Sequence, residues 1–221
     1  MTSQTFLFAD LAGYTAMTEA HGDEMAADAV TEFCREVREL LPEFEAEQVK
    51  SIGDAVLVRV PEASAAIRLA VRLVGELGTR HGSLAVRVGA HTGPAVQREG
   101  DWFGASVNLA ARVAAAAQRG EVVMTEVTHS AAAGAVSEYE IEARPGQTFK
   151  NVAEPVCLYA LTLASQPQVA NLPTDPVCRM AVDPTRSEGR TRNGVEIWFC
   201  SPECAVIFDR HPDRYPVDAG P

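Results

Sequence analysis

The sequence predicts an α+β fold: a mostly antiparallel sheet carrying helices in a split βαβ arrangement, followed by a much smaller cysteine-bearing module. Three observations predict it. Strand-like apolar runs alternate with amphipathic helical stretches in the order β-α-β-β-α-β. Gly53-Asp54, a hairpin-type dipeptide, separates the two apolar runs of QVKSIGDAVLVRV. Composition then changes after ASQPQVANLP (164–173), whose Pro, Gln and Asn content is that of a linker.

Taken in order, Phe6, Leu7, Phe8 and Ala9 make residues 5–11 a strand, and Gly13 and Thr15 turn it towards a helix. Met25, Val30, Phe33, Val37, Leu40 and Leu41 recur at helical spacing within 18–41. The hairpin follows. EASAAIRLAVRLVGELGT (62–79) is a second amphipathic helix closed by Gly78. Residues 84–91 read as a strand, Gly93-Pro94 as a turn, and SVNLAARVAAAAQ as a helix ending before Gly120. Strands near 121–124, 137–142 and 156–163 complete a ferredoxin-like unit of residues 1–163, large enough to bury its own core. Its helices are expected on one face of the sheet. Residues 174–216 form the second module and 217–221 a tail.

A formal charge of −11 over 221 residues argues against a nucleic-acid partner, which needs clustered Lys and Arg, and against an anionic membrane surface. No segment approaches the ~18 uninterrupted apolar residues of a membrane span. The N-terminus has no basic region and carries Asp10 inside its apolar run, unlike a signal peptide. Of five cysteines, Cys34 and Cys157 stand alone in apolar surroundings and read as buried thiols. A cytoplasmic location is the expectation.

Asp10 stands where a core residue is expected, at the end of an apolar strand, and Asp54 sits at a hairpin tip between apolar strands. Each alone reads first as a cap or turn residue. In a split βαβ sheet the first strand lies beside this hairpin, which brings the two carboxylates close. Such a pair repels unless one protonates or a cation lies between them. Oxygen-only ligands favour a hard ion such as Mg²⁺. Asn108 and Arg112 are four residues apart and share a helix face.

FADLAGYT, VKSIGDAV, VRVGAHTG and GDWFGASVNLAAR, in this order over residues 5–163, resemble the successive signature blocks of the class III nucleotidyl cyclase catalytic domain. The resemblance implies that Asp10, the backbone carbonyl of Leu11 and Asp54 hold two Mg²⁺ or Mn²⁺ ions. It places the purine-selecting pair at Lys50 and Asp101, the ribose-orienting residue at Asn108 and the transition-state residue at Arg112. Lys150, in TFKNVAEPV, matches a phosphate-contacting lysine, although the family's usual glycine after it is Asn151 here. Asp101 as acceptor and Lys50 as donor suit adenine, whose edge offers an amine and a ring-nitrogen acceptor, and so favour ATP over GTP. The family divides these residues between subunits, which implies a head-to-tail homodimer with two active sites. Its reaction would give cyclic AMP and pyrophosphate through two-metal-ion catalysis. The rival reading is a catalytically silent nucleotide- or metal-responsive module, and a guanylate cyclase is a third.

The tail carries Cys178, Cys200 and Cys204 within about the number of residues where a core alone rarely suffices and a metal is a common remedy. Three thiolates favour a soft or borderline ion such as Zn²⁺ or Cu⁺. The bland reading is a small reduced fold with packing cysteines. DPVCRM, WFCSPEC and HPDRY resemble a YHS domain, a relative of TRASH-type metal modules, which implies a treble-clef-like fold. Arg179 stands here where the common DPVCGM has its glycine. For a fourth ligand, His211, Asp209 or none are the readings left open. The domain order suggests that this module regulates the cyclase.

Overall fold

The computed structural model describes residues 3–80, 82–137, 139–163 and 172–216. Residues 164–171 of the expected linker and all of the 217–221 tail therefore lie outside the described residues.

β1 (Ser3–Ala12) runs through Gly13 into α1 (Tyr14–His21) and α2 (Asp23–Leu40). The sequence reads as one helix here, but Gly22 takes φ 86° and ψ 169° and breaks it, a conformation open to glycine. β2 (Glu47–Ile52) and β3 (Ala55–Val60) form the expected hairpin, with Gly53 at φ 61°. α3 (Ala63–Arg72) continues as a π turn through Leu77. β4 (Ala85–Pro94) includes Gly93-Pro94, which reads as a turn in sequence but pairs with Gln4 and Ser3 of β1. Next come the short strands β5 (Val96–Arg98) and β6 (Asp101–Phe103), then α4 (Ala105–Ala115) and β7 (Glu121–Thr125). The three-residue strands were too short to show a period-2 pattern in the sequence. α5 (Glu126–Ala131), α6 (Ala133–Val136), β8 (Ile141–Gln147) and β9 (Val156–Thr162) follow. The expected strand at 137–142 thus starts at Ile141, behind two short helices that the sequence reading lacks.

The sheet order is β2-β3-β1-β4-β7-β9-β8, antiparallel except for the β4–β7 pair. Side chains alternate across it. Leu7, Ala9 and Leu11 point into a core with Phe33 and Val37 of α2 and Ile67 and Ala70 of α3. Phe6 and Phe8 point the other way, onto Val107, Ala110 and Ala114 of α4. The helices therefore cover both faces, correcting the one-face expectation. α4 is alanine-rich and lies close against the sheet. A β-carbon at Gly89 would overlap the Ala114 backbone, and one at Gly93 would overlap Ser106 Oγ. Both glycines belong to VRVGAHTG, so that block has a packing reason as well as a family one.

The small module contains β10 (Glu188–Arg192), β11 (Val195–Phe199) and α7 (Pro202–Arg210). Asn193 and Gly194, both at positive φ, make the primed hairpin turn that matches strand twist. Ser201 caps α7 by accepting from Cys204 N at 3.3 Å. The module is docked. Ala181 N donates to Ser83 O and Gly82 N to Ala181 O, both at 2.8 Å, and Arg119 Nη1 donates to Arg179 O at 2.8 Å. Cys178, Met180, Phe199 and Phe208 join the same buried core as α2 and α3. No helix among the described residues is long and apolar enough to cross a membrane.

Gly89→Ala is expected to destabilise the protein by about 1–3 kcal/mol, the usual cost of overpacking, seen as a lower urea midpoint. Gly134→Ala, where a β-carbon meets open space, should leave the midpoint unchanged or slightly raised.

Candidate active site and candidate metal centre

The alternation that sends Phe6 and Phe8 towards α4 also places Asp10 on that face, at the end of β1. Its neighbours across the sheet are Ala55 of β3 and Arg87 of β4. The β1–β3 ladder stops at Asp10–Ala55, so beyond it Leu11 pairs only with β4, and its side chain is buried in the core. The β2–β3 turn carries Asp54 back over β1 until its carboxyl hydrogen-bonds that of Asp10. Burial first, and then the negative charge and hydrogen bond of Asp10, push the Asp54 carboxyl up to about 6. Arg87 supplies the counter-charge to Asp10, with Nε donating to Oδ2 at 2.7 Å and Nη2 donating to the same oxygen. Two carboxyls crowded together, one with its pKa raised by burial and by the other, have the oxygen donors and the like-charge repulsion that a hard divalent ion relieves.

Lys50 sits opposite Leu57 on β2, which puts it on the same sheet face as Asp10. Its Nζ donates to Asp101 Oδ2 at 2.6 Å, and Trp102 N donates to Asp101 Oδ1 at 2.7 Å. The hydrogen bond from Lys50 holds the Asp101 carboxyl below its ordinary range. β6 is what positions Asp101. Two large apolar side chains close in sequence to this pair are exposed, Ile52 at 50% and Phe103 at 52%.

Asn108 and Arg112 lie on α4, whose buried stripe is Val107, Ala110, Val113 and Ala114; Asn108 is exposed and Arg112 half-buried. Lys150 is exposed in the turn before β9. The residue after it, Asn151, takes φ 62°, the left-handed conformation that asparagine tolerates next best to glycine. The departure from the family's glycine therefore leaves that turn intact. The chain thus joins Asp10 to Asp54, Lys50 to Asp101, and Asn108 to Arg112 on one helix face. Among the described residues no hydrogen bond links one of these pairs to another. His91 is half-buried with Nδ1 at 2.8 Å from Thr125 Oγ1, and its partial burial lowers its pKa. Cys34 is buried as expected, whereas Cys157 is only half-buried.

In the small module, Cys178 from the turn after Asp175 meets Cys200, which precedes α7, and Cys204 in its first turn. Cys178 Sγ and Cys200 Sγ are 3.4 Å apart, and Cys200 Sγ and Cys204 Sγ 3.7 Å. A fourth donor joins them from the other domain: His21 Nε2 lies 3.4 Å from Cys200 Sγ and 3.6 Å from Cys204 Sγ. The four ligating atoms fall within 4.8 Å of one another. Hydrogen bonds from Cys178 and Cys200 pull the Cys204 thiol down to about 5, while donating those bonds, together with burial, pushes Cys178 up. Neither open candidate for a fourth ligand is in the group. Asp209 pairs with Arg190 Nε at 3.2 Å, and His211 is exposed past the end of α7.

Asp175 supports the cluster. It is fully buried, and its carboxylate accepts from the backbone N–H of Val177 at 2.8 Å, Cys178 at 3.4 Å and Cys200 at 2.8 Å. Burial raises its pKa against these bonds. The sequence offered a signal for it, an aspartate before a proline in DPVC, where Asx turns form. For His21 and Arg87 there was none. His21 is 157 positions from Cys178, and Arg87 reads as the polar side of an ordinary strand.

Asp54, with a folded pKa near 6 against 3.8 ordinarily, stabilises the metal-free fold fully below the lower value and loses that contribution as pH rises through the upper one. Relative to Asp54→Asn, the metal-free wild type should therefore lose stability between about pH 4 and about pH 7, read by urea unfolding at each pH. Parallel curves would contradict the carboxyl contact.

Residues 1–162 match the Adenylate and Guanylate cyclase catalytic domain, and residues 174–217 match the YHS domain. An uncharacterized protein of Mycobacterium tuberculosis is 40% identical over 116 residues, covering 52% of this chain and 31% of its own length. A pH-sensitive adenylate cyclase of the same organism is 32% identical over 130 residues, covering 58% of this chain and 32% of its own. The chain thus spans about a third of the length of the curated relatives it matches. A solved structure of a Trypanosoma brucei adenylate cyclase in its monomeric state superposes with a TM-score of 0.67 at 26% identity, covering 75% of this chain and 90% of that one. With 162 of 221 residues matched by one domain model, the chain belongs to the family of adenylate and guanylate cyclase catalytic domains, with a YHS domain following.

Proposed function

We propose that the protein is an adenylate cyclase that converts ATP to 3′,5′-cyclic AMP and pyrophosphate at the interface of a head-to-tail homodimer. Its catalytic unit is residues 1–163, and residues 174–216 are a metal-binding module that regulates it. The observation that carries the reading is one sheet face bearing both the Asp10–Asp54 carboxyl pair and the Lys50–Asp101 ion pair.

In this reading Asp10, Asp54 and the Leu11 carbonyl hold two Mg²⁺ or Mn²⁺ ions. When bound, the ions activate the ribose 3′-oxygen and neutralise the leaving phosphates. Asp101 accepts from the adenine amine and Lys50 donates to the ring nitrogen, so the pair parts to admit the base. Asn108 orients the ribose. Arg112 offers a planar fork of donors to the charge that spreads over the α-phosphate oxygens, which an ammonium matches less well. Lys150 contacts the phosphates. Carboxylates from one subunit and the remaining residues from its partner make each of two equivalent sites. The exposed side chains of Ile52 and Phe103 support such an interface. Cys178, Cys200 and Cys204 bind Zn²⁺ or Cu⁺. The chemistry needs cellular ATP and reduced thiols, which fits a cytoplasmic location.

Product formation from ATP and, separately, GTP with Mg²⁺ or Mn²⁺ tests the reading. Cyclic AMP is expected, and Arg112→Ala should lower its rate by about 10²–10³-fold. Cyclic GMP as main product would overturn the base assignment, and no cyclic product would overturn the enzyme.

The homodimer makes a separate prediction. Asp54→Asn and Arg112→Ala proteins, each inactive, should regain up to about a quarter of wild-type activity when mixed, because a mixed dimer keeps one intact site. No recovery under subunit exchange would count against the shared site.

A further inference from the structure

The three module cysteines and His21 converge on one point from three separate segments of the chain. A tetrahedral ion with Zn–S near 2.3 Å and Zn–N near 2.0–2.1 Å requires sulfurs about 3.8 Å apart and sulfur to nitrogen about 3.6 Å. Two of the sulfur pairs are 3.4 and 3.7 Å apart and two sulfur–nitrogen pairs 3.4 and 3.6 Å, with all four atoms within 4.8 Å of one another. Cys178 and Cys204 are fully buried, and Cys200 and His21 half-buried, so the centre is largely shielded from water. Buried thiols packed only for volume have no reason to turn their sulfurs towards a common centre together with an imidazole nitrogen.

A second set of contacts joins the same two elements. Arg179, directly after Cys178, takes φ 68°, a left-handed conformation that non-glycine residues hold only where their surroundings enforce it. Its Cβ lies 2.6 Å from where a β-carbon on Gly13 would sit. Gly13 itself has φ 101° and begins α1, three residues after Asp10. The module therefore meets α1 at both ends, through the Arg179 turn at Gly13 and the cysteine cluster at His21.

We propose that His21 is the fourth ligand of a tetrahedral Zn²⁺ site completed by Cys178, Cys200 and Cys204, and that this site fastens α1, and with it the β1–α1 junction at Gly13, to the C-terminal module. The inference rests on the reading of the three cysteines as metal ligands. It adds a ligand from the catalytic domain, which makes zinc occupancy a restraint on the segment leading out of the catalytic carboxylate strand. Zn²⁺ binding displaces the thiol protons to solvent and uses the neutral imidazole through Nε2.

The test uses the full-length chain, stripped of metal under reducing conditions, with Zn²⁺ titrated against a chromophoric chelator. Wild type, His21→Asn, His21→Cys and Cys200→Ser are compared, and amide hydrogen exchange is followed over residues 14–21. Wild type is expected to bind one Zn²⁺ per chain, His21→Asn to bind at least about tenfold more weakly, and His21→Cys to restore tight binding. Exchange in α1 should slow on adding Zn²⁺ to wild type and His21→Cys but not to His21→Asn. Undiminished affinity in His21→Asn, or loss that His21→Cys does not repair, would overturn the fourth ligand while leaving the cysteine site standing. Undiminished affinity in Cys200→Ser, or no binding by wild type, would overturn the cysteine reading itself and the proposal with it.

Discussion

β1 is paired along both edges, to β3 and β4, and is packed on both faces, by α2 and α3 on one side and α4 on the other. A strand so placed has no freedom to slip, since a one-residue shift would exchange Leu7, Ala9 and Leu11 with Phe6, Phe8 and Asp10. That would bury a carboxylate among the aliphatic side chains packed under α2 and α3. The register of this strand therefore decides where Asp10 projects, and Asp54, Arg87 and Lys50 take their positions from the strands paired outward from it. The tight seat of α4 over Gly89 then sets the height of Asn108 and Arg112 above the same face.

Electrostatics within this frame are arranged at a cost to the fold. Asp54 is forced towards its neutral form by burial and by Asp10, and Asp10 is in turn held by Arg87. Lys50 and Asp101 occupy each other's hydrogen-bonding capacity. These are groups with perturbed or committed charges gathered on one face, the pattern expected where charge is handled rather than where stability is maximised. The surface ion pairs elsewhere, such as Arg35 with Glu32 and Glu39, contribute little by comparison.

The small module solves its own shortage of core by borrowing. Phe199, Phe208, Met180 and Cys178 are buried in continuity with the larger domain, and backbone hydrogen bonds to Gly82 and Ser83 align the contact. Asp175 ties the turn bearing Cys178 to the start of the segment bearing Cys200 through backbone donors alone. The geometry of the cysteines is thus held by the main chain, leaving their sulfurs and the His21 nitrogen free to share a centre. The same turn seats Arg179 against Gly13, so the module also touches the chain where β1 passes into α1.

The sequence by itself determined what short-range pattern determines. An apolar run identified β1, the Gly53-Asp54 dipeptide the hairpin, helical spacing α3 and alanine-rich composition α4, and Asp10, Asp54, Asn108 and Arg112 stood out because each was the wrong or a well-spaced residue type for its element. Only the tertiary structure decided the rest. It split the first helix at Gly22, where a backbone angle rather than composition breaks the pattern, and placed α4 on the opposite face from α2 and α3. It brought Arg87 to Asp10 and Lys50 to Asp101, contacts between strands far apart in the chain. Above all it supplied His21 to the cysteines, a residue whose local surroundings mark it only as the end of a short helix. Such pairings depend on which elements pack together, and a chain read in order carries no trace of the distance between residues separated by most of its length.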